Sequence, residues 1–456
     1  MKLLLSSSGL NYAQQQGNST GKAKRMIRRP ACALRSVMLC CAVMAITACS
    51  DGSDRMPILE RYPVSILETV FVDDTRTTPA TGEFPALATR TLETTVFMPE
   101  GAGKFPLLFF SHGLGATPGV YASLIEEVAA AGFIVVAPVF PLTNTNAPAG
   151  PDASDTQQQP GDISFLIDAV TAAATKQEAP FDVRIDLENI GTFGHSNGGI
   201  TTLGVIANSC CRDPRIDAAV SLSAPAAPYN NGEFDFSTSV PLMLVHGTLD
   251  VLVPYEESVR VFNQVEMAKG IVTLNEVGHS GFVVPTGPGF DTTANTIVDF
   301  FRAHLQKNSA AAQRLQAELV YDTEAEFKYA ETGGTEVTLP LPPAITNRVA
   351  AVEPSTNLTH GQMVTVSWRN YAPGKVVNVL QCSEGGTGGS DVCDFSNASL
   401  FHPNPTGDGS LLLEIIIGKV GSGRCDTATE DCVIAVNDGG LVSEDAIIRI
   451  PISFAP

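Results

Sequence analysis

Residues 194–198 read Gly194-His195-Ser196-Asn197-Gly198. A serine flanked by glycines at this spacing builds one object, a sharp turn from a strand into a helix with the hydroxyl at its tip. The serine takes a strained backbone conformation there, and the glycines, lacking side chains, let neighbouring backbone pass close by. The flanks agree. Ile190, Gly191, Thr192 and Phe193 form an apolar run of strand length before the motif, and Ile200, Leu203 and Ile206 fall on one helical face after it. A chain carrying this turn is expected to place it inside a larger sheet.

A serine alone is a poor nucleophile; it needs a base to take its proton and an acid to orient that base. The chain has seven histidines, so the base is sought by elimination. His195 adjoins the serine and is expected to point away from it. His112 and His246 end apolar strands, before Gly113 and Gly247. His304 lies on a helix whose apolar face is Ile297, Phe300, Phe301 and Leu305, and His360 and His402 fall in a separate C-terminal region. His279 remains, in a loop after the strand 271–277. Asp250 follows the apolar strand 241–247, where a carboxylate can reach the next loop; its bland alternative is a turn residue or helix cap. The chain order Ser196, Asp250, His279 matches one of the known orders of a serine triad. The two oxyanion donors are expected from the amides of Asn197, directly after the serine, and Leu114, in the glycine-rich loop after strand 107–111. That loop lacks both G-x-G-x-x-G and a lysine, which weakens a phosphate-binding alternative.

From residue 91 strands and helices alternate. Strands are expected at 91–98, 107–111, 133–138, 190–194, 218–223, 242–245 and 272–277. Helices follow from the face Tyr121, Leu124, Val128 and Ala131, closed by Gly132, and from 162–174, with Phe165 and Ile167 toward the core. This rhythm predicts an α/β fold, a mostly parallel sheet with helices on both faces and the site beyond the strand C-termini. Only seventeen residues separate Ser223 from Pro241, too few for a helical lid, so an open cleft is expected. The polar loop 142–160 either borders that cleft or is plain surface. Residues 308–330 read as a polar helical appendage, and 336–346 as a Pro-rich linker. Beyond it, 347–456 reads as an all-β module.

The segments Phe110-Ser111-His112-Gly113-Leu114-Gly115, Tyr121 and Ala131-Gly132-Phe133-Ile134-Val135, with the three loops above, resemble the α/β-hydrolase superfamily. Within it they are similar to platelet-activating-factor acetylhydrolases, dienelactone-hydrolase-like esterases and cutinase-type polyesterases. The resemblance implies carboxylic-ester hydrolysis through an acyl-enzyme by Ser196, Asp250 and His279, with Leu114 and Asn197 at the oxyanion and no metal or cofactor. Dienelactone hydrolases use cysteine where this chain has Ser196, so that substrate is not implied, and cutinase-type polyesterases usually carry a bulky residue at the position of Asn197. In the C-terminal region, Asn357-Leu358-Thr359-His360-Gly361-Gln362, Tyr371-Ala372-Pro373-Gly374 and Cys432-Val433-Ile434-Ala435-Val436 resemble the neocarzinostatin-like Ig-type sandwich. Trp368, the one tryptophan, is there either a core residue or a ligand contact.

Residues 1–49 carry seven basic and no acidic side chains. Lys24, Arg25, Arg28 and Arg29 precede a short apolar run, 37–48, as in a secretory signal, with 26–49 as its working part. Ile46-Thr47-Ala48-Cys49 resembles the lipobox of bacterial lipoproteins, which implies lipidation at Cys49, a tether over 50–64 and an extracytoplasmic place at the outer membrane or cell surface. The rest of the chain has 21 basic against 48 acidic residues. That balance disfavours nucleic acid and leaves the lipid anchor as the only expected membrane contact. In an exported chain, Cys382–Cys393 and Cys425–Cys432 read as disulfides, whereas the adjacent Cys210 and Cys211 are either bonded to each other or free thiols. The expected domains are thus a catalytic domain at 65–335 and a β-sandwich at 347–456. The expected partner is a small or polymeric ester. The rival from another class is a non-catalytic surface-binding lipoprotein whose sandwich captures a ligand or polymer.

Overall fold

The structure, a computed structural model, describes residues 61–178, 181, 184–227, 229, 232–250, 252–321, 325–338, 347–371, 376–383, 393, 399–403, 406–420, 423–427, 432–437 and 447–455. Cys49 lies outside them.

Nine strands form the first sheet: β1 Val64–Asp73, β2 Arg90–Pro99, β3 Phe105–Ser111, β4 Ile134–Val139, β5 Ile185–His195, β6 Ala218–Leu222, β7 Leu242–Gly247, β8 Lys269–Leu274 and β9 Ala325–Ala330, in the order β1-β2-β4-β3-β5-β6-β7-β8-β9. The inner pairs from β4 to β8 are parallel. β1 and β2 at one edge and β9 at the other pair antiparallel. Every residue of β3, β6 and β7 is buried. Strands covered on both faces read as continuous apolar runs, which is why their sequences carry no alternation.

Among the described residues, six α-helices cover the sheet: α1 Ala122–Ala130, α2 Gln159–Thr175, α3 Asn197–Ala207, α4 Tyr255–Gln264, α5 Phe290–His304 and α6 Ser309–Gln316. On one face α1, α5 and α6 bury Leu124, Val128, Ile297, Phe300, Phe301 and Leu315 against strand residues such as Phe110 and Phe193. On the other, α2, α3 and α4 bury Ile163, Leu166, Leu203, Val205 and Phe262 against Leu107, Phe109 and Leu244. Each fully buried side chain of this size stabilises the fold by about 1.5–3 kcal/mol. The described residues between β6 and β7 hold one 3₁₀ turn, Phe236–Thr238, and no α-helix.

The stretch 308–330 is helical only at its start. Asn308 caps α6 by accepting from the Ala311 amide at 2.9 Å. The chain then returns as β9, where Ala325 and Phe327 point inward and Glu326 and Lys328 outward. That period of two, not its polarity, sets the conformation. After β9 the Gly333 amide donates to Glu266 O at 2.8 Å, and Val337 exchanges two backbone-to-side-chain hydrogen bonds with Asn263 of α4, at 3.0 and 3.1 Å. The first residues of the expected linker are therefore fastened to the domain built on the nine-stranded sheet.

The strands described in the C-terminal region pair antiparallel. One sheet joins β10 Val349–Glu353, β11 Met363–Arg369 and β14 Gly409–Glu414; a second joins β13 Ser399–Pro403, β12 Val376–Cys382, β17 Val433–Asn437 and β18 Ile448–Pro451; β15 Gly418–Val420 and β16 Gly423–Cys425 make a ribbon. Val364, Val366, Trp368, Leu413, Ile434 and Val436 share its core. Trp368 is a core residue: it is 3% exposed, and a Cβ on Gly409 would stand 2.4 Å from its ring. Cys382–Cys393 and Cys425–Cys432 are bonded, and Cys210 is bonded to Cys211.

Candidate active site

Ser196 stands between β5 and α3 with φ 56° and ψ −120°, a conformation that a side-chain-bearing residue holds only when its surroundings enforce it. They do. A Cβ on Gly194 would lie 2.3 Å from Gly198 O, and one on Gly198 would lie 2.0 Å from Ser111 O. Both obstacles are backbone, so only glycine fits. The Ser196 amide donates to Leu222 O at 2.9 Å, which ties the turn to β6.

Asp250 follows β7 and His279 follows β8, in loops that touch. The Leu249 amide donates to Val277 O at 3.0 Å, and the Glu276 amide donates to the Thr248 hydroxyl at 3.0 Å. His279 Nδ1 lies 2.7 Å from Asp250 Oδ2. Oδ1 accepts the amides of Leu252 and Val253 at 2.9 and 2.8 Å. Burial alone pushes the Asp250 carboxyl up, but hydrogen bonds from His246 and His279 outweigh it and hold the group well below the usual carboxylate range. An ionised carboxylate on Nδ1 keeps the proton on that nitrogen and leaves the Nε2 lone pair free. The rings of His279 and His195, the residue before the serine, lie 4.7 Å apart.

The loop after β3 runs beside the serine: a Cβ on Gly113 would be 3.4 Å from Ser196 Cβ. The Gly113 amide donates to the Tyr121 hydroxyl, that of Gly115 to Thr143 O, and that of Ala116 to Gly113 O. Leu114 has the one amide of this loop, 113–116, without an acceptor among the described residues. Asn197 opens α3, where the first amides have no partner within the helix. Its side chain is buried: Oδ1 accepts from the Thr156 hydroxyl at 2.7 Å, and Nδ2 donates to Gln159 Oε1 at 3.4 Å. Gln159 Nε2 in turn donates to Thr143 Oγ1 at 2.8 Å. The loop 142–160 is thus bound to the residue after the serine and is not plain surface. Arg90, fully buried, holds the same loop from behind through paired bonds to Asp155 and to Asp162.

Sequence reasoning set two histidines aside that the structure engages. His246 is buried, with Nε2 at 2.9 Å from Val253 O and 3.1 Å from Asp250 Oδ2, and Nδ1 at 2.7 Å from the Ser258 hydroxyl. It supports the carboxylate from behind; its spacing of four from Asp250 was the available signal. His195 is held at both ring nitrogens. Nε2 lies 2.8 Å from His279 O and Nδ1 2.9 Å from the Tyr121 hydroxyl. Among the described residues, no group of three or more His, Cys, Asp or Glu side chains is placed to hold a metal ion.

Residues 76–224 match the chlorophyllase family model, and residues 350–454 match that of the neocarzinostatin family. Over 168 residues the chain is 24% identical to Cutinase 2 of Thermobifida cellulosilytica, covering 37% of this chain and 56% of that protein. Over 110 residues it is 26% identical to Chlorophyllase-1, chloroplastic, of Citrus sinensis, covering 24% and 31%. Over 98 residues it is 30% identical to actinoxanthin of Streptomyces globisporus, covering 20% and 67%. The chain spans about half the length of the cutinases it matches.

Proposed function

We propose that this chain, which belongs through its first described domain to the chlorophyllase- and cutinase-like α/β-hydrolases and through residues 350–454 to the neocarzinostatin family, is an exported serine hydrolase of carboxylic esters. His279 Nε2 takes the Ser196 proton as Oγ attacks the ester carbonyl. The imidazolium that forms is stabilised by Asp250. The developing oxyanion is met by the amides of Leu114 and Asn197. Collapse of the tetrahedral intermediate expels the alcohol, protonated by His279, and leaves the acyl group on Ser196. A water molecule, deprotonated by His279, releases the acid by the reverse steps. What supports this most is the 2.7 Å bond from His279 Nδ1 to a buried, ionised Asp250, with the His279 ring 4.7 Å from that of His195, the residue before a serine on a positive-φ turn. The same proposal places the enzyme on the cell envelope through lipid on Cys49; Cys49→Ala is expected to abolish palmitate incorporation and release the protein from the membrane fraction.

The decisive experiment compares wild type and Ser196→Ala on p-nitrophenyl esters of increasing acyl length. Loss of a triad member leaves at most about one-thousandth of the wild-type kcat, with the circular dichroism spectrum unchanged. Turnover by the variant within tenfold of wild type sinks the assignment.

A further inference from the structure

Four groups on three separate segments lie in one line behind the proposed nucleophile. The Gly113 amide, in the loop that carries Leu114, donates to the Tyr121 hydroxyl at 3.2 Å. That hydroxyl lies 2.9 Å from His195 Nδ1. His195 Nε2 lies 2.8 Å from the backbone carbonyl of His279. A carbonyl only accepts, so His195 Nε2 carries a proton. Tyr121 already accepts from Gly113, so its own proton goes to Nδ1. Every donor and acceptor in the line is then used once, and one tautomer is fixed. Tyr121 and His195 are both buried, at 3% exposure each. Their surroundings are the rings of Phe110, His279 and Phe282, with Asp250 and His246 the next charged or titratable groups. Burial pushes the His195 imidazole down to about 3 and the Tyr121 phenol up to about 12, so the line keeps its protons across the working range.

From this we infer that Tyr121 and His195 are positioning residues: they lock the loop bearing the Leu114 amide to the loop bearing His279, so that the oxyanion donor and the base are held in one register around Ser196. Neither touches the reacting atoms. The inference rests on the esterase assignment above for its catalytic consequence, but its hydrogen-bond pattern stands apart from any activity. The geometry also says why position 195 carries histidine. The residue must accept on one side and donate on the other across a single flat ring, in a space closed by Tyr121 and Phe282.

Three variants test it on enzyme counted by fluorophosphonate titration, so that a misfolded fraction does not enter kcat. Tyr121→Phe keeps the ring and removes the hydroxyl. His195→Leu removes both nitrogens. His195→Gln keeps a donor toward His279 O. Tyr121→Phe and His195→Leu are each expected to lower kcat about ten- to a hundredfold, the size of effect that slight misplacement of catalytic groups produces, with KM within about threefold. Their combination is expected to be no worse than the poorer single variant, because both break one line. His195→Gln is expected to recover most of the loss. Titrated Tyr121→Phe and His195→Leu with kcat within twofold of wild type overturn the inference. A second measurement does not depend on turnover. Nitrogen-15 histidine spectra of the whole protein are expected to show His195 neutral between pH 5 and 9 with its proton on Nε2, and its Nδ1 resonance moved by Tyr121→Phe. A proton on Nδ1, or titration of His195 in that window, overturns the line of bonds even if the protein hydrolyses no ester; an inactive wild type with the expected spectra overturns only the esterase assignment.

Discussion

At the scale of single residues, the chain holds several imidazoles uncharged. Burial pushes His112 down to about 4, His195 to about 3 and His304 to about 4. Each takes up a proton more readily when unfolded, so each contributes stability that is full above about pH 6.5 and is lost as pH falls toward its folded value. Asp155 works the other way: burial raises it to about 6, so between about pH 4 and 6 the folded state holds a proton there that the unfolded chain does not. The balance is a net uptake of roughly two protons on unfolding, worth about 2–3 kcal/mol per pH unit. Urea midpoints measured from pH 8 to pH 4 are therefore expected to fall steeply below pH 6, well above the range in which ordinary carboxylates titrate. The residues proposed as nucleophile, base and acid could be named from motif and order alone because chain order survives folding. The supporting histidines could not. His195 and His246 have the same flanks as any histidine at a strand end, and only the folded loops show what each ring nitrogen meets.

At the scale of elements, the Arg90 cluster is the joint between the β1–β2 edge and the loop that reaches the site. Arg90 bonds Asp155 and Asp162 with both sides of its guanidinium, and Arg76 bridges Asp162 to Asp73. Replacing Arg90 by methionine leaves the buried Asp155 without its cation and Asp162 with Arg76 alone, a change expected to cost about 3–5 kcal/mol in urea unfolding; Arg90→Lys rescues little, because an ammonium cannot make the paired bonds. None of this was legible in the sequence, where Arg90 opens a strand and Asp155 sits in a polar loop 65 residues on. The buried strands were legible because apolar runs between turn signals leave few options. β1 escaped notice because an edge strand shows water one face, and Ile66, Val70 and Val72 are exposed there, which blurs its alternation. β9 was hidden by its charges.

At the scale of the whole molecule, two domains can be followed by two independent signals. Trp368 is the chain's one tryptophan and lies in the core of the C-terminal sandwich. Its fluorescence reports that domain, and the proposed ester turnover reports the other. Removing the Cys425–Cys432 bond by alanine at both positions is expected to lower the stability of the sandwich by about 2–4 kcal/mol. The tryptophan transition then moves to lower urea while the midpoint for loss of turnover stays put; a shift of both together contradicts independent domains. Peptide mapping without reductant is expected to recover all three bonded pairs.

The polypeptide enters the large sheet at β1 and leaves it at β9, its two opposite borders. Eight steps between nine strands separate these points by roughly 38 Å at the usual spacing. A pull between the two ends of the chain therefore cannot bypass this sheet. Tension crosses the sheet strand by strand, in series, and the hydrogen-bond ladders flanking the serine become part of the mechanical path between whatever grips the first strand and whatever the sandwich holds.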